Sequence, residues 1–389
     1  MRQCRLFILA IALCLLLDIA SGFAAETKKG KKNPLVTQGE FVSDLVTALG
    51  WEAGLPPKPR ESDYLAILSG NRSFKFEAEN YYAEKTDNVS VRKYALFGPF
   101  TGSGWVSGIA VPTTAHFRVF LPIGGTYSLI VAAKGDGQKW QLGGKEFTVS
   151  TGSRLTEKKV AEVSLNAGYQ EINVVIPPDG AVDYFLLDAP TLRAIEPVNG
   201  WNLKTVFTHG ELAEVTAVLL GLEGNLPDEG KPLAFSVADV IELPPTAKIT
   251  TADYMGKPLS KKWARAGYGG AQLEVPFSVD KEGSYRVRIR ALGNTISAGM
   301  DDFKVKVNGK QYLDWIDLGI FRLGQGKHKL TIDLSTNQGV DVVEVTGKRS
   351  APADYMTVSA VPGDPSAPVK STEEDKILAS LAERFKERQ

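Results

Sequence analysis

Residues 105–131, WVSGIAVPTTAHFRVFLPIGGTYSLIV, return further along the chain as residues 263–289, WARAGYGGAQLEVPFSVDKEGSYRVRI. In each copy a Trp is followed by Gly-(Thr/Ser)-Tyr at Gly125 or Gly283, and an apolar residue recurs at every second position between them. Phe117, Val119 and Leu121 answer to Val275, Phe277 and Val279. After the Gly the alternation resumes, with Tyr127, Leu129 and Val131 against Tyr285, Val287 and Ile289. A period of two marks strands with one buried face. The duplication predicts a mainly β chain of two tandem antiparallel β-sandwiches of jelly-roll type, with short helical segments and a C-terminal helix.

Outward from this stretch, each copy extends in the same order. The first runs from the Phe74–Glu79 strand through a Gly143-Gly144 turn and the alternating Ile172, Val174 and Ile176 to Leu187-Asp188. The second runs from Leu233 through Asn308-Gly309, read as a hairpin turn, and Leu330, Ile332 and Leu334 to Val340-Asp341. Short alternating strands with regular turn signals are the pattern of a sandwich. The copies are placed at residues 71–197 and 231–349.

A shorter repeat precedes each copy, in helical segments at 34–70 and 198–230. Thr37-Gln-Gly-Glu-Phe41 leads to Leu49-Gly50, and Thr208-His-Gly-Glu-Leu212 leads to Leu220-Gly221. Thr followed by Glu three residues on is a capping box, and Gly50 or Gly221 closes an amphipathic helix. These helices are expected to pack on the sandwich flanks. At the far end, residues 350–371 hold Pro352, Pro362, Pro365 and Pro368 and read as a mobile linker. Residues 372–389 place Ile377, Leu381 and Phe385 on one apolar stripe, so this helix docks on its own chain or on a protein partner.

Composition narrows the function. Arg2 and Arg5 precede the apolar run Leu6–Leu17, with small residues to Ala25, a signal-peptide pattern over 1–25 that implies a secreted, periplasmic or cell-surface protein. Cys4 and Cys14 both fall in that leader, so the mature chain holds no disulfide. Losing Arg2, Arg5 and Asp18 with it leaves 43 basic residues against 44 acidic, without a long basic stripe, and nucleic acid is not an expected partner. His116, His209 and His328 are scattered, and no nucleophile elbow, zincin motif or phosphate loop occurs. Asp301-Asp302 is read as a solvated turn. The chain is taken as non-catalytic.

Two resemblances follow from the quoted motifs. Phe76-Glu-Ala-Glu79, Gly125-Thr-Tyr127, Ala167-Gly-Tyr169 and Leu187-Asp188, echoed by Gly283-Ser-Tyr285, Gln325-Gly-Lys-His328 and Val340-Asp341, resemble the family 6 and family 35 carbohydrate-binding modules of the galactose-binding-like superfamily. The helical Thr-x-Gly-Glu starts resemble part of an S-layer homology motif, with Gln38 or His209 where that family has Arg. The first resemblance implies a structural calcium ion held by Glu77, Glu79 and Asp188, hard oxygen donors of the kind calcium takes. The other reading is that both glutamates face water. Ser236 and Ala238 stand at the corresponding places in the second copy.

Sugars are held by flat aromatic faces with polar groups at the rim. The resemblance implies platforms at Trp105 and Trp263, a second platform at Trp315, and Trp140 as its substitute in the first copy; Tyr94 and Tyr268 are rim candidates. A Trp shared by both copies also fits core packing. The expected function is a secreted carbohydrate-binding or cell-envelope-associated protein, with polysaccharide as its partner. The alternative is an envelope structural or assembly protein, with the sandwiches as spacers and the C-terminal helix making protein contacts.

Overall fold

The computed structural model describes residues 34–300 and 303–388. The expected signal peptide with its cysteines, the tether up to Asn33 and the Asp301-Asp302 pair lie outside the described residues. Strands make up 43% and helices 19%, so the chain is mainly β.

Helices α1 (Gln38–Ala48) and α2 (Glu61–Ser69) come first. Ten strands follow: β1 (Ser73–Glu77), β2 (Ser90–Arg92), β3 (Trp105–Ser107), β4 (Thr113–Leu121), β5 (Gly125–Lys134), β6 (Gln138–Leu142), β7 (Lys145–Val149), β8 (Thr156–Leu165), β9 (Gly168–Ile176) and β10 (Ala181–Asp188). Helix α3 (His209–Leu219) then leads to β11 (Asp228–Ser236), the short α4 (Val237–Val240), β12 (Ala247–Thr250), β13 (Trp263–Ala266), β14 (Ala271–Val279) and β15 (Gly283–Leu292). The second unit continues with β16 (Thr295–Met300), β17 (Phe303–Asn308), β18 (Asp314–Leu323), β19 (Gly326–Leu334) and β20 (Gly339–Lys348). Helices α5 (Pro352–Ser359) and α6 (Ser371–Lys386) end the described chain.

Each set of ten strands makes two facing antiparallel sheets. In the first unit the orders are β2-β3-β10-β5-β8, with β1 also on β10, and β4-β9-β6-β7; the second repeats them as β12-β13-β20-β15-β18, with β11 on β20, and β14-β19-β16-β17. Both sandwiches are jelly rolls. The alternation drives them: Ala115, Phe117, Val119 and Leu121 on β4 are buried with Leu129, Val131, Ile172, Val174 and Phe185, while His116 and Arg118, on either side of Phe117, face water. Fully burying one such side chain is worth about 1.5–3 kcal/mol, so the apolar faces decide the register.

In each sandwich two short strands share one edge of the last strand and leave a residue unpaired between them. On β10, β3 pairs at Ala181–Val182 and β1 at Tyr184–Asp188, so Asp183 is bulged out. On β20, β13 pairs at Gly339–Val340 and β11 from Val342 onward, and Asp341 is the bulged residue. This local break positions the polar site described below.

The helices do not lie on the sandwich flanks. They gather into a separate hub with its own core, in which Phe41, Leu45, Phe207, Leu212, Val215, Tyr355, Leu378 and Leu381 are buried together. The hub has three similar members where the sequence repeat suggested two. Val36 donates its N–H to the Val369 carbonyl (3.0 Å), Val369 to Phe207 (2.8 Å) and Phe207 back to Val36 (2.9 Å), closing a ring of three hydrogen bonds. Each member is followed by a helix whose first free N–H groups find carbonyls on the segment leading into the next member. Gln38 and Gly39 donate to Thr205 and Leu203, His209 and Gly210 to Ala367 and Pro365, and Ser371 to Pro34. The Gly of Thr-x-Gly-Glu follows from this: a Cβ on Gly39 or Gly210 would stand 3.0 Å from the Leu203 or Pro365 carbonyl oxygen.

Three further expectations need correction. The 350–371 stretch is not a mobile linker, since it contains α5 and buries Tyr355 and Met356 in the hub. The apolar stripe of α6 is used within the chain, with Leu378 and Leu381 buried and Ile377 and Phe385 packed beside them. Asn308-Gly309 makes no hairpin, because β17 and β18 belong to different sheets. Gly309 is instead required by close approach, its absent Cβ lying 2.3 Å from the Gly293 carbonyl oxygen. The Gly143-Gly144 turn is as read, with both residues at positive φ joining β6 to β7.

Candidate ligand and cation sites

Three of the expected sugar platforms are core residues. Trp105 is 2% exposed, donates its indole N–H to the Tyr94 carbonyl (3.0 Å), and meets the Tyr94 and Phe97 rings edge-on. Trp263 is fully buried and makes the matching bond to the Ala252 carbonyl (2.9 Å). Trp140 is fully buried against Phe185, with its N–H on the Gln138 side chain at 3.1 Å. A shared, buried and hydrogen-bonded indole fixes the loop ahead of its strand in each copy; it has no free face for a ligand.

Trp315 is different. It is half-buried at the start of β18, paired across to Arg290, with the Arg288 guanidinium 5.0 Å from its ring centre. Strands β20 and β15 separate β18 from the Trp263 strand, so the two indoles do not form one pair of platforms. Tyr268 is 98% exposed in the turn after β13, and Tyr94 is half-exposed against Trp105.

Two exposed aromatic residues outside the sequence expectation lie on loops joined just ahead of β18. Leu313 donates its backbone N–H to the Met255 carbonyl at 2.7 Å, which joins the loop of Tyr312 to the loop of Tyr254. Tyr254 is 75% exposed and Tyr312 48%, with Leu259 exposed on the same Tyr254 loop. Lys310 lies 5.3 Å from the Tyr312 ring centre and pairs with Asp314 at 2.5 Å. That contact holds the Asp314 carboxyl below its ordinary range and the Lys310 ammonium above its own. The end of the second sandwich thus offers exposed rings beside a fixed ammonium and carboxylate. Nothing in the periodicity marked these tyrosines, because both lie in loops; the signal was their place beside Met255 and Leu313, which turn inward.

The acidic group of the first sandwich is built around the Thr101–Ser103 loop. Glu77 accepts the Thr101 hydroxyl (2.7 Å) and pairs with Lys75 (2.9 Å). Glu79 accepts the Ser103 backbone N–H (2.6 Å) through one oxygen, while its other oxygen is buried without a partner. The third carboxylate is Asp183, not Asp188. Asp188 pairs with Ser73 at the opposite end of β1, whereas the bulged Asp183, 2% exposed, accepts the Thr101 N–H with both oxygens at 3.2 and 3.1 Å. Loss of solvent pushes the Asp183 carboxyl up to about 6 against the pull of the Thr101 N–H, with the Glu77 charge adding to the rise. Gly102 is needed here, at φ +63°, since a Cβ would come within 2.3 Å of Glu79 Oε1. Among the described residues no group of three or more His, Cys, Asp or Glu side chains is arranged to hold a metal ion by itself. What the group does offer is one orphaned Glu79 oxygen among carboxylates, the donor type that a hard divalent cation takes.

The histidines lie apart. His116 on β4 bonds Asp87 (2.6 Å), His209 on α3 lies 3.4 Å from Glu373 and 3.1 Å from the Pro362 carbonyl, and His328 on β19 meets the Gly324 carbonyl (2.7 Å). Gln38, at the place of His209 in the first hub member, reaches Glu211 at 2.9 Å. In both, the side chain ties one member to the capping glutamate of the next.

No known protein family and no curated protein matches the chain. Several solved structures resemble it in part. The Podospora anserina GH26-CBM35 β-(1,4)-mannanase is 20% identical, over 40% of this chain and 36% of that one, with a TM-score of 0.27. A family 35 carbohydrate-binding module from Clostridium thermocellum is 14% identical, over 30% of this chain and 98% of the module, at 0.26. A Cellvibrio mixtus lichenase 5A module, solved with cellotriose, is 13% identical over 30% of this chain and 98% of its own, at 0.24. The chain spans about a third of the mannanase and nearly the whole of each module.

Proposed function

We propose that this is a secreted, periplasmic or surface-exposed, non-catalytic carbohydrate-binding protein, with its glycan site at the loop end of the second sandwich. The observation carrying this reading is that Tyr254 and Tyr312 are both exposed on two loops that the Leu313–Met255 hydrogen bond joins, with Tyr312 on the loop that leads into Trp315. Exposed rings cover the C–H face of a sugar, while Lys310 and Asp314 are placed to orient hydroxyls. The resemblance to carbohydrate-binding modules, some of them parts of polysaccharide-degrading enzymes, favours the same class of ligand. The first sandwich has core indoles and fewer exposed rings at the corresponding loops.

The test is a polysaccharide pull-down and glycan array with the mature chain, alongside Tyr254→Ala, Tyr312→Ala and the double variant, with melting recorded for each. Retention that falls while melting stays level supports the site. Retention unchanged in the double variant removes it and favours the spacer reading.

The same proposal gives the first sandwich a structural calcium ion, held by Glu77, Glu79 and Asp183 around the Thr101–Ser103 loop. Bound there, calcium would neutralise the carboxylates and tie β1 to β10.

A further inference from the structure

The bulged aspartates of the two sandwiches are equivalent, yet their surroundings carry opposite charge. Asp183 lies between Val182 and Tyr184, whose partners on β5 are Ala133 and Ala132. Asp341 lies between Val340 and Val342, whose partners on β15 are Ala291 and Arg290. Arg290 therefore occupies the place of Ala132. The loops that hold the aspartates also match, because Thr101 donates to Asp183 as Leu259 (2.7 Å) and Ser260 donate to Asp341.

What differs is the neutralising charge. Asp341 is fully buried, and Arg290 Nη1 reaches it at 2.7 Å. Ser236 and Ala238 add no acid there. Around Asp183 the small Ala132 supplies no cation, Glu77 and Glu79 add two carboxylates, and Lys75, on Glu77, is the one ammonium contact recorded among these described side chains. One site is neutral as built, and the other is left about two charges short. A carboxylate kept from water needs a counter-charge, whether from a side chain or from a dissolved ion.

We infer that Arg290 is a tethered counter-cation, doing in the second sandwich what a bound divalent ion does in the first, so that only one half of the chain depends on that ion. The part concerning the first sandwich rests on the calcium reading above; the part concerning Arg290 stands on its own contacts. The second half is thereby fixed in its working shape whatever the ion supply. This is the half with the exposed tyrosines, and the Asp341-bound segment Leu259–Ser260 belongs to the loop that presents Tyr254.

Hydrogen exchange on the full-length mature chain, in calcium and after chelation, reads both halves at once. In the wild type, chelation should speed exchange at Thr101–Ser103 and along β10, and leave Leu259, Ser260 and β20 unchanged. Arg290→Met should speed exchange at Leu259 and Ser260 at least about tenfold, as expected for a buried charge left unpaired, with or without calcium. Adding Asp341→Asn should recover part of that protection, which a mere packing defect would not. Ala132→Arg should protect Thr101–Ser103 and abolish the response to chelation. Equal loosening of both halves on chelation, or an Arg290→Met variant with wild-type exchange at Leu259 and Ser260, overturns the inference. If chelation changes neither half of the wild type, the calcium reading fails, and the Arg290→Met and Ala132→Arg arms still decide the role of the guanidinium.

Discussion

Tryptophan and tyrosine divide the labour at the loop ends by where their polar atoms point. Trp105 and Trp263 spend their N–H groups on the carbonyls of Tyr94 and Ala252 and are buried. Trp263→Ala should therefore cost about 3–5 kcal/mol of stability, visible as a lowered denaturant midpoint with an unchanged slope. Tyr254→Ala should stay within about 0.5 kcal/mol, as surface changes usually do, and its effect should show only in polysaccharide retention. Gly339 is the partner of Trp263: a Cβ there would lie 2.3 Å from the indole. Gly339→Ala should consequently destabilise the second sandwich, read by faster exchange along β13. The sequence made the indoles conspicuous because they recur at one spacing, but recurrence marks what both copies need, and both copies need a core. The exposed tyrosines occur in one copy only, so the repeat could not reveal them. The family resemblance pointed to Glu77, Glu79 and Asp188, but Asp183 rather than Asp188 stands beside the two glutamates, and an unpaired residue inside a strand leaves no mark in the alternation.

The elements show the same division between periodic and local information. Strand positions followed from alternation because a slip of one residue would expose a whole apolar face. The third hub member escaped notice because Lys370, Ser371 and Thr372 replace the Thr-x-Gly start, although Lys370 still donates its N–H to Glu373 at 2.8 Å. What the three members share is backbone geometry at Val36, Phe207 and Val369, to which side-chain patterns are blind. Val369→Pro tests the ring directly. It removes the donor to the buried Phe207 carbonyl, and an unsatisfied buried acceptor costs about 1–3 kcal/mol. Exchange at the Val36 and Phe207 amides should quicken, while Val369→Ala, which keeps the N–H, should leave them far better protected.

At the scale of the whole molecule, the hub is fastened to the second sandwich through buried polar contacts. Lys348, 4% exposed, donates to the Gly224 and Leu226 carbonyls (3.1 and 2.9 Å), and Arg322 reaches the Pro197 and Glu196 carbonyls (2.9 and 3.1 Å). The Pro227–Pro232 run is exposed but forms the start of β11 on β20, with an irregular register between Glu229 and Leu233. Limited proteolysis should therefore leave both this run and residues 350–371 intact under native conditions. Calcium at a hundred times its dissociation constant should stabilise the first sandwich by about 2.7 kcal/mol, and Glu79→Ala should abolish that gain in melting experiments. The three-bond ring also has a consequence in time. Each jelly roll is complete within one continuous stretch of chain and can form as soon as that stretch has left the ribosome. The ring joins residues 36, 207 and 369, so it stays open until the last of them is made. During synthesis the protein is two finished sandwiches on an unfinished axle, and their common mount is the final piece to set.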